Sequence, residues 1–153
     1  MNQNNWKINK NSKVIGQPSQ MKVALKQHQL AMLYRCLSIE KNVYKSSKYP
    51  YCIMSDKPGS GKTAVIISLI LSDKTLCGKT QNLIVVPQNI HTQWINEFKK
   101  FAGDSLRVKS YIEYSDISNL FFDTSSLDEY DVFITTSLYY DMIINILRQN
   151  NLH

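Results

Sequence analysis

The chain has 153 residues, of which 43% are hydrophobic, and this is enough for the core of one domain. No apolar run approaches the roughly 20 residues that cross a bilayer, and the polar, lysine-rich start argues against a secretory signal. The three cysteines have no C-x-x-C spacing, so neither a disulfide framework nor a zinc site is indicated. We therefore expect an intracellular protein in a reducing compartment (cytoplasm, nucleus or viral replication site), neither secreted nor bound to a membrane.

The positive charge is concentrated at the N-terminus. The net charge is +6, and no acidic residue precedes Glu40, whereas six basic residues do. A basic arm of this kind can contact nucleic-acid phosphates, or it can be a solvated and partly disordered lead segment. Both interpretations stay open. We predict a basic, flexible arm at 1–20, which ends near Gly16 and Pro18, and one domain at 21–153.

Hydrophobic periodicity after the arm predicts alternating helices and strands. Apolar residues at helical spacing, from Leu25 to Leu37, predict a first helix at about 26–41. Apolar or β-branched runs predict strands at about 50–54, 83–87, 106–112 and 131–135. Helical stretches lie between and after them, at about 62–72, 90–102, 115–122 and 137–149. This alternation indicates an α/β fold with a parallel sheet and helices on both faces.

Residues 56–63 read Asp-Lys-Pro-Gly-Ser-Gly-Lys-Thr and precede an apolar, helix-like run. The glycines can adopt backbone angles that expose successive N–H groups, and the helix that follows adds its positive end. A triphosphate fits such a loop: Lys62 would reach the β and γ phosphates, and the Thr63 hydroxyl would bind Mg²⁺. The predicted ATP-binding residues of the loop are Pro58, Gly59, Ser60, Gly61, Lys62 and Thr63.

The loop departs from the G-x-x-x-x-G-K-[ST] pattern, because Asp56 stands where the first glycine belongs. A chance glycine-rich surface loop is the alternative, but the strand-like run before it and the helix-like run after it favour nucleotide binding. A second Gly-Lys-Thr at 78–80 leads into a strand, and we interpret it as an ordinary loop.

The predicted helix at 90–102 is amphipathic. Its apolar residues share one face and predict core positions, not a platform for stacking bases: Ile90, Trp94, Ile95, Phe98 and Phe101. Gln93 and Lys99 lie elsewhere on this helix, where they can face solvent or a phosphate backbone.

Several segments, taken in order, carry a family resemblance: the Leu-Lys-Gln-His-Gln at 25–29, the loop at 56–63, the strand and helix at 83–98, and the Tyr-Asp-Val-Phe-Ile-Thr-Thr at 130–136. Together they resemble the first RecA-like lobe of superfamily 2 helicases, in the branch of chromatin-remodeller-type DNA translocases and their relatives in large DNA viruses. The match spans about residues 25 to 136. An aspartate at the position of Asp56 is usual in that branch. The resemblance implies a three-layer, RecA-like P-loop fold, which we expect to be incomplete.

The resemblance also implies roles for single residues. Gln29 would sense adenine, since a side-chain amide both donates and accepts. Thr135 and Thr136 match a motif that contacts the tracked strand, and Gln93 and Lys99 lie in a segment that helps to hold nucleic acid. A solvated glutamine and ordinary strand-end threonines are the alternatives. The implied cofactors are ATP and Mg²⁺, and the implied partner is nucleic acid, duplex DNA in this branch.

The acidic pair that holds the metal and orients water in this family is missing from the sequence. Asp128 follows a polar segment, which suggests a surface loop, and Asp123 is followed by a threonine. No motif of the second RecA-like lobe, with its arginine finger, is found. We expect the ATP-binding N-terminal part of a DNA-dependent ATPase or helicase-like translocase, truncated, split or interrupted.

On this interpretation the complete protein would hydrolyse ATP, whereas this chain alone would be inactive unless a second chain supplied the missing motifs. The alternatives are a non-catalytic nucleotide-binding module or a vestigial fragment. A small P-loop kinase is the least favoured, because the 3 arginines are not clustered.

Overall fold

The structure is a computed structural model that describes residues 7–43, 53–78, 80–122 and 125–149. Five α-helices and three β-strands form within these segments. The helices are α1 (Gln27–Val43), α2 (Lys62–Cys77), α3 (His91–Phe101), α4 (Tyr114–Phe122) and α5 (Tyr140–Gln149), and the strands are β1 (Asn82–Val85), β2 (Val108–Tyr111) and β3 (Val132–Thr135). Apart from the strand predicted at 50–54, the order of elements is the predicted alternation.

The described strands form one parallel sheet in the order β1-β3-β2. Asn82 and Val108 both pair with Val132, so the three strands start in register. All four residues of β3 are buried, as expected of a central parallel strand. Of the predicted strand at 50–54, only Ile53 and Met54 lie within the described residues, and neither is in a strand.

Helices cover both faces of the sheet, which confirms the predicted three-layer α/β architecture. On one face, α1, α2 and α3 pack against alternate strand residues, among them Ile84, Val132 and Ile134. On the other face, α4 and α5 pack against Tyr111 and Phe133. Successive strand residues point to opposite faces, and the two clusters are therefore separated by the sheet itself.

Asp131 joins several elements at the edge where the strands begin. Its side chain is 3% exposed, and Oδ2 accepts hydrogen bonds from Lys74 Nζ at 2.8 Å and from the Arg107 backbone N–H at 2.7 Å. Its backbone carbonyl accepts the N–H of Asn82 at 3.0 Å. One residue thus connects the last part of α2 with the starts of all three described strands.

Two helix boundaries differ from the prediction. Helix α2 was expected to end near residue 72, but it continues to Cys77. Lys74 is bonded to Asp131 there, and Gly78, with φ 75°, caps the helix end. Gly78 thus ends one helix and Thr80 precedes a strand, while Lys79 lies outside the described residues; the interpretation of the second Gly-Lys-Thr as an ordinary loop stays a prediction. Helix α5 begins at Tyr140, after a turn in which the Tyr139 N–H bonds the Thr136 carbonyl.

The basic N-terminal segment runs along the domain. Its described part, residues 7–20, forms neither helix nor strand, yet Ile8 and Ile15 pack against the first core cluster. Gln17 Oε1 accepts the Leu25 N–H at 2.7 Å, and Gln20 Nε2 donates to Thr75 Oγ1 at 3.1 Å. The proposed boundary near residue 20 stays a prediction. Within the described helices, none is long and apolar enough to cross a membrane.

Glu40 on α1 makes the stability of the fold depend on pH. Burial, reinforced by the charge of Asp73 on α2, raises the pKa of Glu40 from 4.5 to about 7. The folded state thus binds this proton more tightly than the unfolded state does, so stability from the protonated form is lost as pH rises from about 4.5 through 7. Because Glu40 is only half-buried, we discount the full shift and expect a loss of about 1–2 kcal/mol.

Glu40→Gln should therefore raise the free energy of unfolding at pH 8 by that amount and leave it nearly unchanged at pH 4.5. Urea denaturation at both pH values measures this. Glu129→Gln, which changes an exposed acid, is the matched control and should change neither value by more than about 0.5 kcal/mol. A gain of equal size at both pH values would contradict the role of the proton.

Candidate nucleotide site

The predicted phosphate loop lies at the edge of the sheet where the strands end. Lys74, late in α2, bonds Asp131 at the opposite edge, where the strands begin. Lys62, twelve residues earlier in the same helix, is therefore displaced by roughly 18 Å toward the carboxyl edge. Ligands of open parallel sheets bind at that edge.

The loop backbone has the conformation that its glycines predict. Gly59 and Gly61 have φ of 79° and 84°, which L side chains rarely adopt. The Ser60 N–H donates to the Lys57 carbonyl at 3.2 Å and closes a turn. Helix α2 starts at Lys62, and no side chain caps its N-terminus. The first N–H groups of α2 are thus left for a ligand, at the positive end of a 16-residue helix.

Lys62 lies across the loop. Its Nζ donates to the carbonyls of Asp56 at 2.7 Å and Lys57 at 3.1 Å. The ammonium is therefore held at the mouth of the loop, where phosphate oxygens could take the place of these neutral acceptors. Such a replacement is favourable, because hydrogen bonds between charged groups are stronger than those to carbonyls.

Ser60 supplies an independent sign of a ligand. Its Oγ is buried, and it has no hydrogen-bond partner among the described residues. A buried hydroxyl without a partner costs free energy, and native structures rarely keep one without a reason. A phosphate oxygen would satisfy it. The residues present therefore fit a polyphosphate.

The metal would be held mainly by the nucleotide. Thr63, the predicted Mg²⁺ ligand, is half-buried in the first turn of α2. The described parts of the chain contain no group of three or more His, Cys, Asp or Glu side chains that could hold a metal. A Mg²⁺ ion at Thr63 would thus depend on phosphate oxygens and water for its other ligands. Pro58 and Gly59 are exposed at the tip of the loop.

Gln29 contacts the loop from α1. Its Oε1 accepts the Lys26 N–H at 2.8 Å, and its Nε2 donates to the Ser60 carbonyl at 3.3 Å. Any residue other than glycine at position 61 would be strained by its φ of 84°, and its Cβ would also displace this amide. A side-chain amide has two N–H groups and two lone pairs, and one of each remains for an adenine edge. His28 Nε2 lies 3.1 Å from the same carbonyl.

The predicted nucleic-acid contacts are not brought together. Gln93 and Lys99 are both exposed, but Gln93 is in the first turn of α3 and Lys99 in its last. Thr135 is fully buried, and its hydroxyl donates to the Tyr111 carbonyl at 2.7 Å, while Thr136 is 4% exposed. The apolar face of α3 is confirmed as core.

The candidate catalytic acids also lie away from the phosphate loop. Asp128 and Glu129 belong to a short 3-10 turn, Ser125–Glu129, that leads into the start of β3, and both are exposed. This surface position agrees with the prediction, and it places them at the edge opposite Lys62. Asp123 lies outside the described residues.

Sequence reasoning missed three features of this region. His28 and Asp131 received no role of their own, although both were quoted within motifs. The buried His91 was assigned none, yet its Nε2 lies 2.7 Å from Ser110 Oγ and fixes the start of α3 against β2. Each contact joins residues at least 19 positions apart, and only the fold reveals it.

Two solved structures of the Sulfolobus solfataricus SWI2/SNF2 ATPase core have a similar fold. One, in complex with dsDNA, has 23% identity and a TM-score of 0.66, with 89% of this chain and 25% of that chain covered. The other, of the core domain, has 25% identity and a TM-score of 0.62, with 88% and 24% covered. These similarities support an N-terminal RecA-like lobe.

Two relatives by sequence are ATP-dependent helicases. The helicase fft1 of Schizosaccharomyces pombe is 42% identical over 59 residues, which are 39% of this chain and 6% of the relative. The helicase FUN30 of Saccharomyces cerevisiae is 32% identical over 89 residues, 56% of this chain and 8% of the relative. The matches thus cover less than a tenth of either relative's length.

The family model of the SNF2-related domain matches residues 6–152, nearly the whole chain and part of its basic N-terminal segment. With the order of its motifs, its parallel sheet and its phosphate loop, this chain belongs to the SNF2-related domain family of superfamily 2.

Proposed function

We propose that this chain is the ATP-binding N-terminal part of a DNA-dependent ATPase of the SNF2-related type. The observation that carries the proposal is the buried Ser60 hydroxyl, which lacks a partner in the described structure, in a loop that also presents Lys62 and an uncapped helix end. The family match supports the nucleotide as ATP.

Different residues of the chain bind different parts of the nucleotide. The loop N–H groups and Lys62 hold the phosphates, the Ser60 hydroxyl donates to one of their oxygens, and Gln29 reads the adenine edge with its remaining donor and acceptor. Thr63 would hold a Mg²⁺ ion, which neutralises phosphate charge when it is bound. Gln29 would thus contact both the adenine base and the phosphate loop.

The proposed partner is nucleic acid, with duplex DNA the first choice. The family and the fold shared with an ATPase core in complex with dsDNA support it. Gln93 and Lys99 are exposed and can supply side-chain contacts. For Thr135, whose hydroxyl is already bonded, a contact would need that bond to break. We also propose that the basic segment at 1–20 contacts this nucleic acid and that the ATP-binding domain spans residues 21–153.

Hydrolysis is not assigned to this chain alone, because the candidate acids Asp128 and Glu129 lie at the edge of the sheet opposite Lys62. A second chain that brings the acidic motif and the arginine finger would complete the enzyme. A non-catalytic nucleotide-binding module is the second candidate, favoured by the same distance of Asp128 and Glu129 from the loop.

Lys62→Ala tests the central claim. We expect it to weaken Mg-ATP binding at least about tenfold, because a hydrogen bond to a charged group contributes about 1.5–3 kcal/mol. Isothermal calorimetry measures the change. Lys57→Ala is the matched control: it removes an exposed lysine from the same loop and keeps the carbonyl that Lys62 contacts. Equal affinities of wild type and Lys62→Ala would remove the claim.

A further inference from the structure

Two side chains from the first turn of α1 converge on one backbone oxygen of the phosphate loop. The Ser60 carbonyl lies 3.1 Å from His28 Nε2 and 3.3 Å from Gln29 Nε2. A carbonyl oxygen only accepts, so His28 must carry a proton on Nε2 to make this contact. The geometry thus assigns the Nε2–H tautomer to the neutral imidazole.

This contact fixes the direction of a neighbouring N–H group. The peptide between Ser60 and Gly61 is planar and trans, so its carbonyl and the Gly61 N–H point in opposite directions. With the carbonyl held toward α1, the Gly61 N–H is directed away from α1. The Ser60 N–H is bonded to the Lys57 carbonyl, so the peptides on both sides of Ser60 are held.

The anchor is needed because glycine is permissive. Gly59 and Gly61 flank Ser60, and both have positive φ, so the peptide planes between them can rotate at little steric cost. A loop whose N–H groups rotate freely must be ordered when an anion binds, and that ordering lowers affinity. Two donors on one carbonyl remove this freedom beforehand.

We propose that His28 is a positioning residue of the phosphate loop, which together with Gln29 fixes the Ser60–Gly61 peptide in the orientation that binds a phosphate. The role rests on the proposed nucleotide function. It differs from that of Gln29, because His28 acts on the phosphate end of the ligand alone. Its effect should not depend on the base.

Two variants and two ligands test this. His28→Phe keeps a ring and removes the donor, whereas His28→Gln restores an N–H donor of similar reach. Affinities for Mg-ATP and for magnesium inorganic triphosphate are measured by calorimetry. We expect His28→Phe to weaken both ligands by the same factor, about threefold to tenfold, as for loss of one neutral hydrogen bond. His28→Gln should bind both within about twofold of wild type.

The contact itself has a readout without ligand. Nitrogen-15 NMR of the wild-type chain distinguishes the two imidazole tautomers, and we expect neutral His28 to carry its proton on Nε2. Because His28 is exposed, His28→Phe should leave the unfolding temperature unchanged.

Three results would overturn the proposal: a proton on Nδ1 in the neutral ring, unchanged affinity of His28→Phe for both ligands, or a loss confined to Mg-ATP, which would place His28 at the base. Failure of the proposed function looks different, since Lys62→Ala would then bind as wild type does. If wild type binds neither ligand, the nucleotide function and the positioning role fall together, whatever the tautomer.

Discussion

Replacing Asp131 by alanine is expected to lower the free energy of unfolding by about 2–3 kcal/mol, because the partly buried Lys74 ammonium and the Arg107 N–H both lose a charged hydrogen-bond acceptor. The carboxylate is 3% exposed and holds Lys74 at 2.8 Å and the Arg107 N–H at 2.7 Å. Urea denaturation followed by circular dichroism measures the loss.

Two further variants make this result interpretable. Asp104→Ala, which removes an exposed acid from a short 3-10 turn, should cost no more than about 0.5 kcal/mol. Adding Lys74→Met to Asp131→Ala should recover part of the loss, since the lysine no longer lacks a counter-charge. A loss below about 1 kcal/mol in the single variant would show that Asp131 does not hold the sheet edge together.

The purified 153-residue chain is expected to show no ATP hydrolysis above background, with or without duplex DNA. Phosphoryl transfer needs an acid to hold the metal and orient water, and a cation to stabilise the charge that develops. An arginine finger alone contributes about 10³–10⁵ in rate, so its loss together with the acid should abolish detectable turnover.

Steady-state phosphate release measures this, and Lys62→Ala run beside wild type detects contaminating ATPases. Robust turnover that disappears in Lys62→Ala would mean that a catalytic acid has been overlooked. Asp123, which lies outside the described residues, would then be the first to replace.

The sequence predicted most of what is local. Helical periodicity located α1, α3 and α4 to within a few residues, and the glycine spacing located the phosphate loop. The amphipathic pattern of α3 identified the face that is buried in the core. These features depend on neighbours a few residues apart, and such neighbours are visible in a single sequence.

What could not be predicted depends on distant partners. Lys74 and Asp131 are 57 positions apart, and His28 and Ser60 are 32 apart. Neither pair has a pattern of its own, because a lysine late in a helix and a histidine early in one are common surface residues. The end of α2 was misplaced for the same reason: its last turn includes Lys74, whose partner Asp131 directly precedes β3.

Helix α2 begins at the nucleotide loop, and its last part is bonded to Asp131, so we expect the two regions to fold and unfold together. By thermodynamic linkage, a ligand that binds only the folded loop stabilises everything that unfolds with it. A change at Asp131 that leaves part of the molecules unfolded would then lower the observed nucleotide affinity by that fraction, from roughly 18 Å away and without a contact to the ligand. A natural variant at this aspartate could therefore be mistaken for a binding-site mutation. If stability is measured with saturating nucleotide, the bound ligand stabilises the folded state and partly conceals the destabilisation.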